Sequence, residues 1–197
     1  MKRKWTLLLF LVIIVLGAIF IGCEKTKSTK EEVYKNFQNN ILKIKYYKCK
    51  ADLEVIGNKK SHKYSFIHEY KGNRKFKLVV LTPNHLKGKI MEYTSDKIII
   101  KNPELKDKLV LPNVGKDSQH LFIGDFIENY LQRDSLEIGM KGGYLTLAIP
   151  IPGNAKYFSK EILYIDSKKS YPAKLVILDK DGKTRFIVNY SDFKYKK

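Results

Sequence analysis

The sequence predicts a mainly β (α+β) fold: a strongly curved antiparallel sheet forming a half-barrel covered by helices. Three observations carry that expectation. Many segments alternate apolar and polar residues with a period of two, the connections between them are short enough for hairpins, and two stretches carry their apolar residues at helical spacing. Hairpin-length connections imply antiparallel pairing, because parallel strands need a longer crossover.

In chain order, Ser28 with Glu31 fits a capping box, in which each side chain satisfies a free backbone N–H of the other. Val33, Phe37, Ile41 and Ile44 then recur at helical spacing, which places an amphipathic helix at about 29–43. From Tyr46 the period drops to two: Tyr47, Cys49, Ala51, Leu53 and Val55 alternate with Lys48, Lys50, Asp52 and Glu54. Cys49 is therefore expected to be a small buried core residue. After the turn "GNKK", a second strand alternates His62, Tyr64, Phe66, His68 and Tyr70.

"KFKLVVL", "IMEY" and "KIII" follow as strands, and "KNPELKDKLVLPNVGKDS" (101–118), with two prolines and no sustained period, reads as a long loop. A second helix is expected at about 118–131, with Phe122, Phe126 and Tyr130 on one row and Ile123, Ile127 and Leu131 beside it. The remainder is a meander of "YLTLAIPI", "YFSKEILYID", "AKLVILD" and "TRFIVNYSDFKY". Asp181-Gly182 signals a tight turn whose two central residues both take positive φ. Ile149-Pro150-Ile151-Pro152 belongs at an edge or bend, because proline donates no ladder bond. Leu175 and Ile177 oppose Val176 and Leu178, so both sheet faces carry bulk there, and the two helices would cover one of them.

The first residues set the compartment. "MKRK" precedes an uncharged, largely apolar run from Trp5 to Ile21, the polarity of an export signal. A spanning helix is the competing reading, since about 18 apolar residues cross a bilayer core. "FIGC" separates the two: it resembles the lipobox of bacterial lipoproteins, in which a small residue, here Gly22, precedes a cysteine that is lipidated and becomes the new N-terminus. The expected organisation is a signal peptide over 1–22, a lipidated tether over 23–29 beginning at Cys23, and one domain over 30–197. With Cys23 lipidated, Cys49 has no internal disulfide partner, so stability rests on packing.

The whole chain carries 38 basic and 20 acidic residues, a net charge of +18. Loss of Lys2, Arg3 and Lys4 with the signal leaves it near +15. In the cytoplasm that charge would point to nucleic acid. On the outer face of a membrane the anions are lipid headgroups, wall polymers and acidic protein surfaces. Of the basic clusters, Lys59, Lys60, Lys63, Arg74, Lys75 and Lys77 form the candidate interaction surface, with a merely solvated face as the alternative. Lys71, Lys168, Lys169, Lys194, Lys196 and Lys197 are the other clustered cations.

No catalytic constellation stands beside that surface. His62, His68, His85 and His120 have no ligand spacing; His62 and His68 share a strand face about 20 Å apart and are expected to be half exposed. There is no Gly-x-Ser-x-Gly turn, and Asp117, Ser118 and His120 read as a helix N-terminus rather than a triad. The glycines at 142–143 and 153 lie in turns between strands, so no phosphate loop is present. No catalytic residue, metal or cofactor is expected. Exposed strand edges in an incomplete barrel invite a homodimer.

One segment carries a family resemblance. "YIDSKKSYPAKLVILDKDGKTRFIVNYSDFKY" resembles the C-terminal part of the LolA/LolB-like lipoprotein-carrier superfamily through Ile165, Asp166, Pro172, Asp181, Gly182, Tyr190, Asp192 and Phe193. "HEYKGNRKFKLVVLTP" and "HLKGKIMEY" resemble its early strands. The resemblance implies a curved antiparallel half-barrel lidded by helices, which in the carriers shelters acyl chains. Within the superfamily the lipobox, size and basic charge most resemble the GerS family of germination lipoproteins. That implies a non-enzyme which binds the spore cortex amidase CwlD, supports muramic-δ-lactam formation and sits between the forespore membranes. The alternative is a lipid or lipoprotein carrier using an apolar cavity.

Overall fold

The computed structural model describes residues 28–72, 75–112, 121–151 and 157–197. Its first element, helix α1 (Lys30–Asn40), starts one residue later than the spacing suggests: Thr29, not Ser28, is the N-cap, and the capping box closes on Glu32. Glu32 N–H donates to Thr29 Oγ1 at 3.2 Å, and Thr29 N–H donates to Glu32 Oε2 at 3.0 Å. Threonine and glutamate offer the same chemistry as Ser28 with Glu31, and the register is chosen by the burial of Val33 and Phe37. A short 3₁₀ turn, Ile41–Lys43, leads into the sheet.

Eleven strands follow. They are β1 (Tyr46–Ile56), β2 (Ser61–Tyr70), β3 (Phe76–Thr82), β4 (Ile90–Tyr93), β5 (Lys97–Asn102) and β6 (Asp107–Pro112). After helix α2 (Ile123–Leu131) come β7 (Glu137–Lys141), β8 (Tyr144–Pro150), β9 (Phe158–Asp166), β10 (Pro172–Asp179) and β11 (Thr184–Lys196). They form one open antiparallel sheet in the order β6-β5-β4-β3-β2-β1-β11-β10-β9-β8-β7. Two meanders, β1 to β6 and β7 to β11, are thus zipped together by pairing of the first strand with the last. That order dictates where α2 goes: β6 and β7 are the opposite edges, so the chain between them must cross a sheet face.

Both helices pack on the same face. Val33, Phe37 and Ile41 from the first and Ile123, Phe126 and Tyr130 from the second share one core with Tyr47, Cys49, Leu145, Leu163, Leu175 and Val188. The strand registers make a continuous apolar row of Leu147, Leu163, Leu175, Val188, Leu53 and Tyr64 on that face. Tyr34 and Tyr130 hydroxyls meet at 2.6 Å, tying the helices together. The mainly antiparallel, helix-covered open sheet expected from sequence is the observed architecture. On the other face Val176 and Ala148 are buried as well, among neighbouring strand side chains rather than beneath a described helix.

Four expectations change. The segment read as a long loop contains β6, in which Asp107 to Leu111 pair with Asn102 to Ile98 of β5; the absence of alternation is explained by its exposure on both faces. β7 lies outside the strands expected from periodicity; Gly139 interrupts its pattern, and the Gly142-Gly143 turn that follows has both residues at positive φ (57° and 82°), the conformation expected at Asp181-Gly182. At the latter, only Gly182 takes positive φ (76°), because Asp179 Oδ1 accepts the N–H groups of Asp181 and Lys183 and closes a three-residue loop instead. Helix α2 begins at Ile123, and residues 113–120, including Asp117, Ser118 and His120, lie outside the described residues. The proline expectation holds: Pro150 pairs with Lys160 on β9, while β7 pairs no further than Ala148, so its other side is a local edge.

The end of β11 accounts for a motif. Tyr190 and Phe193 are three residues apart, yet both are buried at 8% exposure, which strict alternation forbids. A bulge between the β1 residues Lys48 and Lys50 inserts a residue opposite them, and Asp192 sits at φ 52° within it. "YSDF" is therefore a bulge sequence: aspartate tolerates the left-handed region and two aromatic rings reach one face.

Candidate functional site

Where the N-terminus of α2 meets β1 to β4, the core is aromatic. Phe122 stacks on Phe76 at 4.3 Å between ring centres and lies 4.9 Å from the His68 ring and 5.4 Å from Tyr93. Gly124 permits this approach: a Cβ there would come within 3.0 to 3.1 Å of Phe76 and Tyr70 ring carbons. His68 is 1% exposed and its Nε2 is 3.2 Å from the Tyr47 hydroxyl. That overturns the half-exposed histidine expected from sequence; its place mid-sheet beneath Phe122 buries it, and burial lowers its pKa to about 3. His62, on the same face nearer the strand end, is exposed.

Beside this cluster lies an apolar cavity of about 290 Å³. Leu53, Tyr64, Phe66, Val80 and Met91 line the sheet side, and Leu121 and Phe122 form the helix side. Cys49 is buried as expected, and burial pushes its thiol up to about 12, which leaves no thiolate near neutral pH.

Sequence reasoning missed Glu161. It is 0% exposed on β9, flanked in register by Ile149 and Ile177. Its Oε1 accepts a 2.7 Å bond from Asn129 Nδ2 on α2, while its Oε2 has no hydrogen-bond partner among the described residues. Burial raises its pKa to about 7, the Asn129 bond opposing the shift. The signal was available, since alternation puts Glu161 on the face of Leu163 and Ile165.

The candidate basic surface divides. Lys59 and Lys60 occupy the β1–β2 turn with Lys63 at the start of β2, while Lys75 just precedes β3 and Lys77 lies near its start, at the other end of the sheet. Lys63 and Glu69, the register partner of Lys77, are six residues apart on β2, about 20 Å. Arg74 and Cys23 lie outside the described residues. Lys77 instead joins Lys71 and Lys75 around a surface hollow of about 250 Å³ that Phe76, Glu92 and Tyr93 complete. Among the described residues no group of three His, Cys, Asp or Glu side chains could hold a metal ion, and no helix is long and apolar enough to cross a membrane.

Comparison with solved structures finds the chain similar to that of the GerS lipoprotein in the structure of the CwlD amidase from Clostridioides difficile in complex with it. The two are 49% identical over 88% of this chain and 100% of that one, with a TM-score of 0.53. An uncharacterized conserved protein from Thermus thermophilus is 16% identical over 84% of this chain and 86% of that one, with a TM-score of 0.50, a likeness of fold. The LolA superfamily protein NE2245 from Nitrosomonas europaea is 12% identical over 86% of this chain and 94% of that one, with a TM-score of 0.45. No curated protein matches the chain. The family model described as sporulation protein YdcC-like matches residues 2–197, and the chain belongs to that family.

Proposed function

We propose that this protein is a non-catalytic, membrane-anchored lipoprotein of sporulation that binds and activates a CwlD-like spore cortex amidase, supporting the muramic-δ-lactam formation needed for germination. The observation that carries the reading is 49% identity, over the full length of that chain, to a lipoprotein seen in complex with the CwlD amidase. The sporulation family model agrees with it. In this reading residues 1–22 are a signal peptide, 23–29 a tether lipidated at Cys23, and 30–197 the binding domain, facing the space between the forespore membranes. The full-length chain in detergent should co-purify with the amidase of the same genome, and spores lacking the chain should contain no muramic-δ-lactam. Wild-type muropeptides in those spores would refute the role. Cys23→Ala should remove the lipid adduct from the intact mass and release the protein from the membrane fraction.

The reading includes a homodimer. β6 is an edge strand with every residue exposed, and Leu109, Val110 and Leu111 offer an apolar ladder that a second copy can pair. Sedimentation of wild type against Val110→Lys tests it, with a monomer expected for the variant.

The apolar cavity favours one second reading, a lipid carrier. At about 290 Å³ it stands at the small end of ligand pockets, so it suits a single slender apolar group. Acyl chains released without covalent linkage when the native protein is denatured, detected by mass spectrometry apart from the adduct at Cys23, would support that reading; their absence, with an intact amidase complex, would exclude it.

A further inference from the structure

We infer that the hollow between Lys71, Lys75 and Lys77 is the point at which an acidic side chain of the amidase partner docks. The inference rests on the amidase-partner reading above and names the surface it uses. The hollow lies at the β2–β3 end of the sheet, with Phe76 and Tyr93 completing its wall. Its lysines outnumber the carboxylates beside them: Glu92 lines the hollow, and Glu69 attracts Lys71 and Lys77 electrostatically without forming an ion pair with either. Of the two glutamates nearby, Glu69 is bound by Lys48 Nζ at 2.9 Å, and Glu92 by Lys101 Nζ at 2.7 Å. Lys71, Lys75 and Lys77 form no ion pair among the described residues. Each glutamate thus already has a cation, and three further positive charges surround the recess.

The sheet order reinforces this. The 3₁₀ turn before β1, the β9–β10 turn and the end of β11 emerge at the same end, adding Lys43, Lys45, Lys168, Lys169, Lys196 and Lys197 to one positive rim. Such a rim steers a negatively charged partner, and the recess gives the encounter a register. A recess admits a side chain projecting from a protein surface, and the exposed Lys71 and Lys75 and the half-buried Lys77 line it. A carboxylate there gains the ammonium groups, while the Phe76 and Tyr93 rings are turned to the helix side, where they pack on Phe122.

The test is the association rate of the full-length chain with the amidase, measured across a salt series for wild type and two triple variants. Lys71→Glu/Lys75→Glu/Lys77→Glu is expected to slow association about tenfold or more and to flatten its salt dependence. Lys87→Glu/Lys180→Glu/Lys183→Glu places the same charge change at the other end of the sheet and is expected to retain more than about half the wild-type rate. Thermal unfolding of each variant establishes that it is folded, and Lys71→Gln/Lys75→Gln/Lys77→Gln, with a smaller loss in the same direction, serves if the reversal does not fold. If wild type forms the complex and neither hollow variant changes its rate or salt dependence, the assignment is overturned while the partner role stands. Failure of the wild-type chain to form any complex overturns both. Loss of binding only to phosphatidylglycerol vesicles, with the complex unaffected, overturns the assignment in favour of the membrane.

Discussion

Among single residues, two buried groups set opposite limits on pH. His68 is held neutral with its pKa near 3, below its unfolded value of 6.5, so the unfolded chain binds more protons between those values and stability rises with pH there. Glu161 is displaced the other way, from 4.5 to about 7, so the folded chain holds the extra proton and stability falls as pH rises from about 4.5 through 7. The Glu161 contribution is on the order of 3 kcal/mol. Between about pH 4.5 and 6.5 the two slopes oppose each other, so Glu161→Gln should leave stability rising with pH up to about 6.5 and remove the decline from there to about 7, as read by denaturant midpoints across about pH 4 to 8. A variant that still loses stability as pH approaches 7 would show that another group controls that limb. At Asp192 the backbone rather than the charge matters: Asp192→Gly should be nearly neutral, and Asp192→Val should cost about 1–2 kcal/mol, because a β-branched residue resists φ 52°. Equal losses for both would refute that account.

Among the elements, α2 is the part that makes the site. Its amphipathic pattern is legible from Phe122, Phe126 and Tyr130, whereas the closeness of its approach depends on Gly124 and the rings opposite it. Gly124→Ala should destabilise by about 1–3 kcal/mol through crowding against Phe76 and Tyr70, and it should shrink the adjoining cavity. Unchanged stability would mean that the rings yield freely. β6 is illegible for a related reason. Period-two alternation records a buried face, and Asp107–Pro112 has none, so only its pairing with β5 reveals the strand. The capping residue slips by one position because Ser28-Glu31 and Thr29-Glu32 are chemically equivalent, and core packing chooses between them.

Over the molecule, the sheet is held at its middle and free at its ends. β1 pairs with both β2 and β11 along nearly its whole length, while β6 has a single neighbour and no buried residue. Amide hydrogen exchange should accordingly be slowest in β1 and β11 and fastest in β6, with the β5–β6 hairpin opening before the rest. Protection of β6 equal to that of β1 in a monomer would contradict this; protection gained only at high concentration would be the mark of strand pairing between copies. The basic surface also belongs to this level. Clustering along the sequence groups Lys59, Lys60 and Lys63 with Lys75 and Lys77, and the strand length separates them by about 20 Å.

Periodicity, turn chemistry and proline geometry are local properties, and they are enough to read the antiparallel, two-helix β fold, the burial of Cys49 and the proline at a local edge. Glu161 too stands in the chain in plain alternation with Leu163 and Ile165. Folding in three dimensions was needed to seal His68 beneath Phe122, to partner one oxygen of Glu161, to bring Tyr190 and Phe193 to one face, and to gather Lys71, Lys75 and Lys77 around one hollow. Each of those depends on strand register and on a helix carried across the sheet by the placement of β6 and β7 at opposite edges. Contacts so distant along the chain leave no mark in the local pattern of residues.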